Sequence, residues 1–277
     1  MNNLKDIIKN LWYVKFKNIK MFNDYWLNES NLKNFTIEEL ENFQNLKDLH
    51  FCTSKIDNLE EVMFSRSNKL NPLEYQKLID LGDSVIGYNE DQQKVLFSRE
   101  KKISGWVTAN HIFFLTFLSA CFETKTPLKI VEFGGGFGNL CRLMFLRKKY
   151  EIEKYSIIDQ KGMQQVQDFF LKKTLSENDY KNIVLIESQP EIQCEESYDL
   201  FISNHAITEF DTVKYFEHCH LMDKCKYAFI STCLNSVSEF TIMFHLLSKM
   251  EVVAYYMESD NMFHILFKNN QKEMISE

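Results

Sequence analysis

The stretch "KIVEFGGGFGNL" (129–140) carries four of the chain's eight glycines within five residues. They are Gly134, Gly135, Gly136 and Gly138. The β-rich run before them predicts a strand over 129–133, and the residues after them predict a helix over 139–148. Because glycine lacks a Cβ atom, such a loop can turn tightly and bring a ligand against backbone N–H groups at a helix N-terminus. The stretch therefore predicts a ligand-binding loop at the carboxyl end of a strand.

Short β-rich runs alternate with helix-length segments after residue 105. The candidate strands are 129–133, 155–159, 182–187, 198–203, 227–231, 251–257 and 262–268, and the candidate helices are 139–148, 161–173, 209–222 and 236–249. Such alternation predicts a parallel sheet with helices on both faces. The connection "ESDN" (258–261) is too short for a helical crossover, so the last two strands should form an antiparallel hairpin. We therefore expect an α/β fold with a doubly wound, mostly parallel, seven-stranded sheet.

The first hundred residues have a different pattern, with helix-like segments and interleaved aromatic residues. In "TIEELENFQNL" (36–46), Thr36 and Glu39 have the spacing of a capping box. In "NPLEYQKLIDLG" (71–82), Asn71 fits an N-cap and Gly82 a helix end. We expect residues 1–104 to form a helical lid and acceptor-binding region over a domain spanning 105–277.

Composition and charge exclude several classes of function. Lys and Arg number 32 against 39 Asp and Glu, a net charge of −7, and they form no basic stripe, so we expect no nucleic-acid partner. The longest apolar run, "HIFFLTFLSACF" (111–122), is too short to span a membrane and predicts a buried helix. The N-terminus lacks the features of a secretory signal, and the seven cysteines show no CxxC pairing. We therefore expect a cytoplasmic protein with reduced thiols.

The sequence offers little for a metal ion. In "EHCH" (217–220), His218 and His220 lie two residues apart and would not converge on a helix, so we interpret them as surface histidines. After the fourth strand, Glu209 and Asp211 are two apart, and no adjacent acid pair is present. We favour chemistry that requires no metal.

The glycine stretch fits neither common nucleotide motif. Asn139 stands where the third glycine of a dinucleotide fingerprint would be, and the chain has no GK[ST] of a phosphate-binding loop. The pattern Glu132-Phe-Gly134-Gly-Gly136-Phe-Gly138 resembles that of class I S-adenosylmethionine-dependent methyltransferases. With the strand order and the closing hairpin, the resemblance covers about residues 105–268. It implies a Rossmann-like methyltransferase fold, with S-adenosylmethionine as cofactor and S-adenosylhomocysteine as product.

The resemblance also implies roles for individual residues. The glycines would pass close to the methionine part of the cofactor, Glu132 would hold the loop and reach the amino group, and Asp159 would accept hydrogen bonds from both ribose hydroxyls. An alternative for Asp159 is a solvated acid that opens a turn. The full set of expected cofactor residues is Glu132, Gly134, Gly135, Gly136, Gly138, Asp159, Ser188 and Asn204.

The stretch "SNHAITEF" (203–210) ends the fourth strand and resembles a narrower family, the sugar O-methyltransferases. His205 and Glu209 match that pattern, whereas Ala206 and Phe210 replace a serine and a methionine. A sugar hydroxyl is a poor nucleophile, so a histidine that removes its proton would assist methyl transfer. We expect His205 to be the general base, with Glu209 orienting it or binding the acceptor. The alternatives are a structural histidine at the strand end and an acid that complements a helix dipole.

The segment "SREKKISGWVTANH" (98–111) could contact the acceptor. Trp106 offers a platform for a sugar face, and Arg99, Asn110 and His111 could bind hydroxyls or a phosphate. Alternatively, Trp106 only packs the two halves together. Two other functions remain open: a methyltransferase for another small-molecule acceptor, and a non-catalytic S-adenosylmethionine-binding scaffold. Aromatic residues in the first thirty positions would suit a homodimer.

Overall fold

The computed structural model describes residues 2–15, 34–43, 69–82, 106–188, 196–209, 215–216, 218–259 and 262–270. The helices among them are α1 (Asn2–Lys15), α2 (Ile37–Glu41), α3 (Pro72–Gly82), α4 (Trp106–Cys121), α5 (Asn139–Arg147), α6 (Lys161–Thr174), α7 (Glu177–Tyr180), α8 (Ala206–Glu209), α9 (His220–Asp223) and α10 (Val237–Lys249). The strands are β1 (Leu128–Phe133), β2 (Ile152–Asp159), β3 (Ile183–Glu187), β4 (Tyr198–Asn204), β5 (Cys225–Cys233), β6 (Glu251–Ser259) and β7 (Met262–Lys268).

The seven strands form one sheet in the order β3-β2-β1-β4-β5-β7-β6. β1 pairs with β4, β2 with β3, and β4 with β5, all in parallel. β7 runs antiparallel to both of its neighbours, β5 and β6. The predicted seven-stranded, mostly parallel sheet with a closing antiparallel hairpin is therefore confirmed.

Most predicted bounds lie within one residue of the structure, but several differ by more. β2 begins at Ile152, three residues before the expected start. The predicted helix over 209–222 falls partly outside the described residues; Tyr215, Phe216 and His218 are helical, but α8 already begins at Ala206 and α9 (His220–Asp223) follows a turn at Cys219. The early start follows from Ser203, whose Oγ accepts the N–H of Ile207 at 2.9 Å and caps the first turn of α8.

The described residues divide into two compact units. The first contains α1, β1 from Lys129, and the elements from Ser188 onward. Its core includes buried aromatic residues of β4, β5 and β7. The ring of Trp12 from α1 meets the buried Phe240 of α10 edge-on at 5.2 Å.

The second unit contains α2, α3, α4 and the segment from Gly135 to Glu187. α4 is buried along most of its length, which confirms the expected buried helix around 111–122. The predicted capping box of Thr36 and Glu39 and the predicted N-cap Asn71 are also confirmed by their side-chain hydrogen bonds. The division at residue 105, with the N-terminal region as a lid, stays a prediction.

Within the described ranges, no helix combines the length and the apolar character that a membrane crossing requires.

Candidate functional site

Three of the four loop glycines have a backbone conformation that other residues rarely adopt. The φ angles are +73° at Gly134, +55° at Gly136 and +92° at Gly138. The N–H of Gly138 donates to the carbonyl of Gly135 at 2.9 Å, which closes a tight turn directly before α5. The conformation of the loop therefore requires glycine at Gly134, Gly136 and Gly138.

Packing adds a second requirement at two of these positions. A Cβ atom on Gly138 would stand 3.2 Å from the side chain of Leu171 in α6. A Cβ atom on Gly134 would collide with the side chain of Ala206, the first residue of α8. Each of these glycines thus allows a helix to lie directly against the loop backbone.

Phe137 anchors the loop from within the second unit. Its ring lies 5.5 Å from Phe43 and 5.0 Å from Phe170, and all three side chains are buried. Such aromatic contacts stabilise beyond the area that they bury. Phe137 thus ties the second half of the loop to the core of the second unit.

Asp159 ends β2 and is 7% exposed, which excludes the alternative of a solvated acid. Its Oδ1 accepts the N–H of Gln160 at 2.8 Å. Burial raises the pKa of Asp159 to about 7, and the N–H groups of Gln160, Gly135 and Gly136 oppose this effect. The carboxyl group therefore lies beside the glycine loop, and its pKa is raised toward neutrality.

Gln167 of α6, which no motif in the sequence indicates, joins the same arrangement. Its Nε2 donates to Asp159 Oδ2 and to the carbonyl of Gly136, each at 2.8 Å. The side chain is fully buried, and its Oε1 has no hydrogen-bond partner among the described residues. One amide thus connects the end of β2 with the glycine loop.

Asn139, which occupies the position of the missing third glycine, organises a buried polar cluster. Its Nδ2 lies 3.2 Å from Thr108 Oγ1 and 3.3 Å from His111 Nδ1, and its Oδ1 accepts from Arg142 at 3.2 Å. These contacts link α4 to the first turn of α5. His111, expected at the acceptor site, lies in this cluster. Its neighbour Asn110 is 6% exposed, with Oδ1 buried and without a partner in the described part of the chain.

His205 forms a sharp turn between β4 and α8. Its φ is +72°, a left-handed conformation that is uncommon for residues other than glycine. Its N–H donates to the carbonyl of Ser231 at 2.9 Å, and its own carbonyl accepts from Thr208 Oγ1 at 3.0 Å. The backbone that carries the imidazole is thus held on both sides. In the preceding residue, Asn204, the Oδ1 atom is buried without a partner among the residues described.

Ser188 and His218 form a contact that was not expected. Ser188 Oγ lies 3.4 Å from His218 Nε2, and the His218 ring meets Phe133 edge-on at 5.1 Å. The interpretation of His218 as a surface histidine is wrong, because it is only 4% exposed. Its contacts come from residues at the ends of β1 and β3, which are distant in sequence.

The remaining expected site residues are Glu132, Arg99, Trp106 and Glu209. Glu132 is buried within β1 at 1% exposure. Arg99 lies outside the described residues. Trp106 begins α4 and Glu209 ends α8, but their side chains are outside the described set. Across the described ranges, no cluster of three or more His, Cys, Asp or Glu side chains is arranged to hold a metal ion.

The chain is similar in structure to several solved proteins, two of them methyltransferases. The methyltransferase domain of bacterial CtHen1-CN is 16% identical over 57% of this chain and 97% of that domain, with a TM-score of 0.48. The glycopeptide N-methyltransferase MtfA, solved with S-adenosyl-L-methionine, is 9% identical over 56% of this chain and 92% of MtfA, with a TM-score of 0.45. The PH0226 protein from Pyrococcus horikoshii is 12% identical over 60% of this chain and 92% of that protein, with a TM-score of 0.48.

MtfA has also been solved with sinefungin and with S-adenosyl-L-homocysteine. No protein-family model and no curated protein matches the chain.

Proposed function

We propose that this chain is a methyltransferase that binds S-adenosylmethionine and methylates a hydroxyl group of a sugar, in a glycan or a nucleotide-sugar. The observation that carries the proposal is the loop after β1. Three of its glycines have positive φ, and Gln167 joins the Gly136 carbonyl to the carboxyl group of Asp159 at the end of β2. Ligands of open parallel sheets bind at the carboxyl ends of the strands, where these residues lie.

The residues present fit such a cofactor. The positive φ angles of Gly134, Gly136 and Gly138 give the loop a tight backbone turn without side chains at the end of β1, which is suited to close approach of a ligand to the backbone. Buried acceptor atoms without a partner among the described residues, Oε1 of Gln160 and Oδ1 of Asn204, are suited to hydroxyl or amino donors. We further propose cofactor contacts for Glu132 and Ser188. When bound, S-adenosylmethionine would supply the methyl group.

The proposed base is His205. A histidine ring nitrogen accepts a proton near neutral pH, so it can take the proton of a sugar hydroxyl as the new C–O bond forms. Support comes from the backbone: His205 keeps a left-handed φ of +72° that glycine would adopt at less cost. Glu209, the last residue of α8, would orient this imidazole or bind the acceptor. Trp106, Arg99, Asn110 and His111 are the proposed acceptor contacts, and no metal is required.

The experiment is transfer of a labelled methyl group from S-adenosylmethionine to a panel of nucleotide-sugars and glycans. The variants are His205→Asn and His205→Gly, because both residues tolerate positive φ and keep the turn. We expect the rate of methyl transfer to fall about 100-fold or more in both variants, with affinity for S-adenosylhomocysteine unchanged. Added imidazole should restore part of the rate in His205→Gly, and chelators should have no effect on the wild type.

Other outcomes decide between the alternatives. Full transfer to sugars in both variants would remove His205 as the base. Transfer by the wild type only to non-sugar acceptors would assign another acceptor class. Cofactor binding without transfer to any acceptor would indicate a non-catalytic binding protein.

A further inference from the structure

We propose that Gln167 is a positioning residue that fixes the glycine loop and the Asp159 carboxyl group in their ligand-binding arrangement before the ligand arrives. The inference rests on the proposed function, in that S-adenosylmethionine is the ligand concerned. Gln167 contacts the loop and the carboxyl group, and we assign it no contact with the acceptor.

The geometry of the amide determines its orientation. Both neighbours of Nε2, Asp159 Oδ2 and the Gly136 carbonyl, can only accept hydrogen bonds when the carboxyl group is ionised, and each lies at 2.8 Å. A flipped amide would place Oε1 against two acceptors. The NH₂ group, with two hydrogens, is therefore matched to the two acceptors that it meets.

Hydrogen bonds from one amide hold the loop and the carboxyl group together. Gln167 Nε2 donates to Asp159 Oδ2 and to the Gly136 carbonyl, and the nearby N–H groups of Gly135 and Gly136 lower the pKa of the same carboxyl group. Gly136 has a φ of +55°, so its peptide groups point in directions that a strand would not allow. Gln167 thus links the Asp159 carboxyl group to the turn of the loop at Gly136.

Helix α6 places this amide where a core residue would otherwise stand. Its neighbours on the same helix face, Met163, Phe170 and Leu171, are buried and apolar, and Leu171 lies against the position of Gly138. Gln167 is fully buried, and its Oε1 has no partner among the described residues. A buried, half-satisfied amide is unfavourable compared with an apolar residue, so a role in packing alone does not account for it.

The first test compares Gln167→Met with the control Gln165→Met by calorimetric titration with S-adenosylhomocysteine. Gln165 lies on the same helix, but its amide bonds to Asn34 and to the N–H of Phe35. We expect Gln167→Met to weaken binding about tenfold, because a hydrogen bond to a charged group is lost, while Gln165→Met binds like the wild type. The pH midpoint of the affinity should also move upward only in Gln167→Met. Equal affinity and equal midpoints in the wild type and Gln167→Met would overturn the inference.

A second variant keeps the test decisive if Gln167→Met does not fold. Gln167→Glu retains the shape but places two carboxyl groups in contact, which then share a proton. We expect its pH midpoint for S-adenosylhomocysteine binding to rise by about one pH unit or more. An unchanged midpoint would show that residue 167 does not act on Asp159.

A measurement on the ligand-free wild type separates this inference from the proposed function. By NMR, the chemical shifts of the backbone amide protons of Gly135 and Gly136 should change with pH as Asp159 ionises. The side-chain amide protons of Gln167 should change with the same midpoint. If they do so while S-adenosylhomocysteine fails to bind, the proposed function is wrong and the positioning arrangement stands for another ligand. If the Gln167 protons do not titrate with the glycine amides, the positioning role is wrong.

Discussion

The side chain of Ala206 lies where a Cβ atom on Gly134 would stand. Gly134 also has a φ of +73°, so any other residue there would meet both backbone strain and a collision with the start of α8. We expect Gly134→Ala to lower the free energy of unfolding by about 2–4 kcal/mol, since strain and overpacking each contribute. Chemical denaturation measures this difference.

The matched control is Gly135→Ala, because Gly135 does not share the positive φ of its neighbours. Its effect on unfolding should be clearly smaller. The double variant Gly134→Ala with Ala206→Gly should recover part of the loss, because the collision is removed while the strain stays. Equal losses at both glycines would contradict this explanation.

Removing one partner of the buried ion pair between Glu74 of α3 and Arg147 of α5 should strongly lower the stability of the second unit. Their side chains are 9% and 1% exposed, and Arg147 also donates to Ser119. Burial lowers the pKa of Arg147, and Glu74 opposes that effect. We expect Glu74→Ala to lower the free energy of unfolding by about 3–5 kcal/mol, because it leaves a buried charge without its partner.

A surface pair supplies the comparison for this prediction. Lys172 and Asp168 are 56% and 39% exposed, so Lys172→Met should change the free energy of unfolding by less than about 1 kcal/mol. Replacing both buried partners, as Glu74→Leu with Arg147→Met, should restore much of the stability. A loss in Glu74→Ala as small as that in Lys172→Met would contradict the role of the pair.

Asp159 should make stability depend on pH with a defined sign. Its pKa is about 7 in the folded protein against an ordinary value of 3.8, so between these values the folded state binds more protons than the unfolded state. The contribution of Asp159 to stability therefore falls as the pH rises through this window and is constant above it. The difference in unfolding free energy, wild type minus Asp159→Asn, should decrease from about pH 4 to about pH 7. A difference that rises or stays flat across this range would contradict the assigned environment.

The stability of the turn at His205 should depend on how readily residue 205 adopts positive φ, whatever the role of the imidazole. Since φ is +72°, His205→Gly should be more stable than His205→Ala by about 1 kcal/mol. Thermal or urea unfolding of the two variants measures this difference. If alanine is equally stable, the left-handed conformation is not required at this position.

The fold could be predicted from the sequence because its signals are local. Short apolar runs, the glycine loop and the four-residue hairpin connection each indicate an element within a few residues. The strand ends were less predictable. β5 extends from Cys225 to Cys233 because Cys225 pairs with Tyr198 and Cys233 with Met262, and these partners lie far away in the chain.

The candidate site could likewise be predicted only where its residues follow a local pattern. The glycines and Asp159 follow strands directly, so position alone indicates them. Gln167 could have been noticed as an amide on the apolar face of a helix, but only the folded chain brings it to Gly136. The burial of His218 depends on Phe133 and Ser188, contacts for which no nearby sequence pattern exists.

The central claim is that this chain binds S-adenosylmethionine through the glycine loop and Asp159. The most direct test is calorimetric titration of the wild type and of Asp159→Asn with S-adenosylhomocysteine. We expect micromolar binding by the wild type, about −8 kcal/mol, and a loss of about tenfold or more in the variant. Absence of binding by the wild type would contradict the claim, and equal binding by both proteins would remove Asp159 from the site.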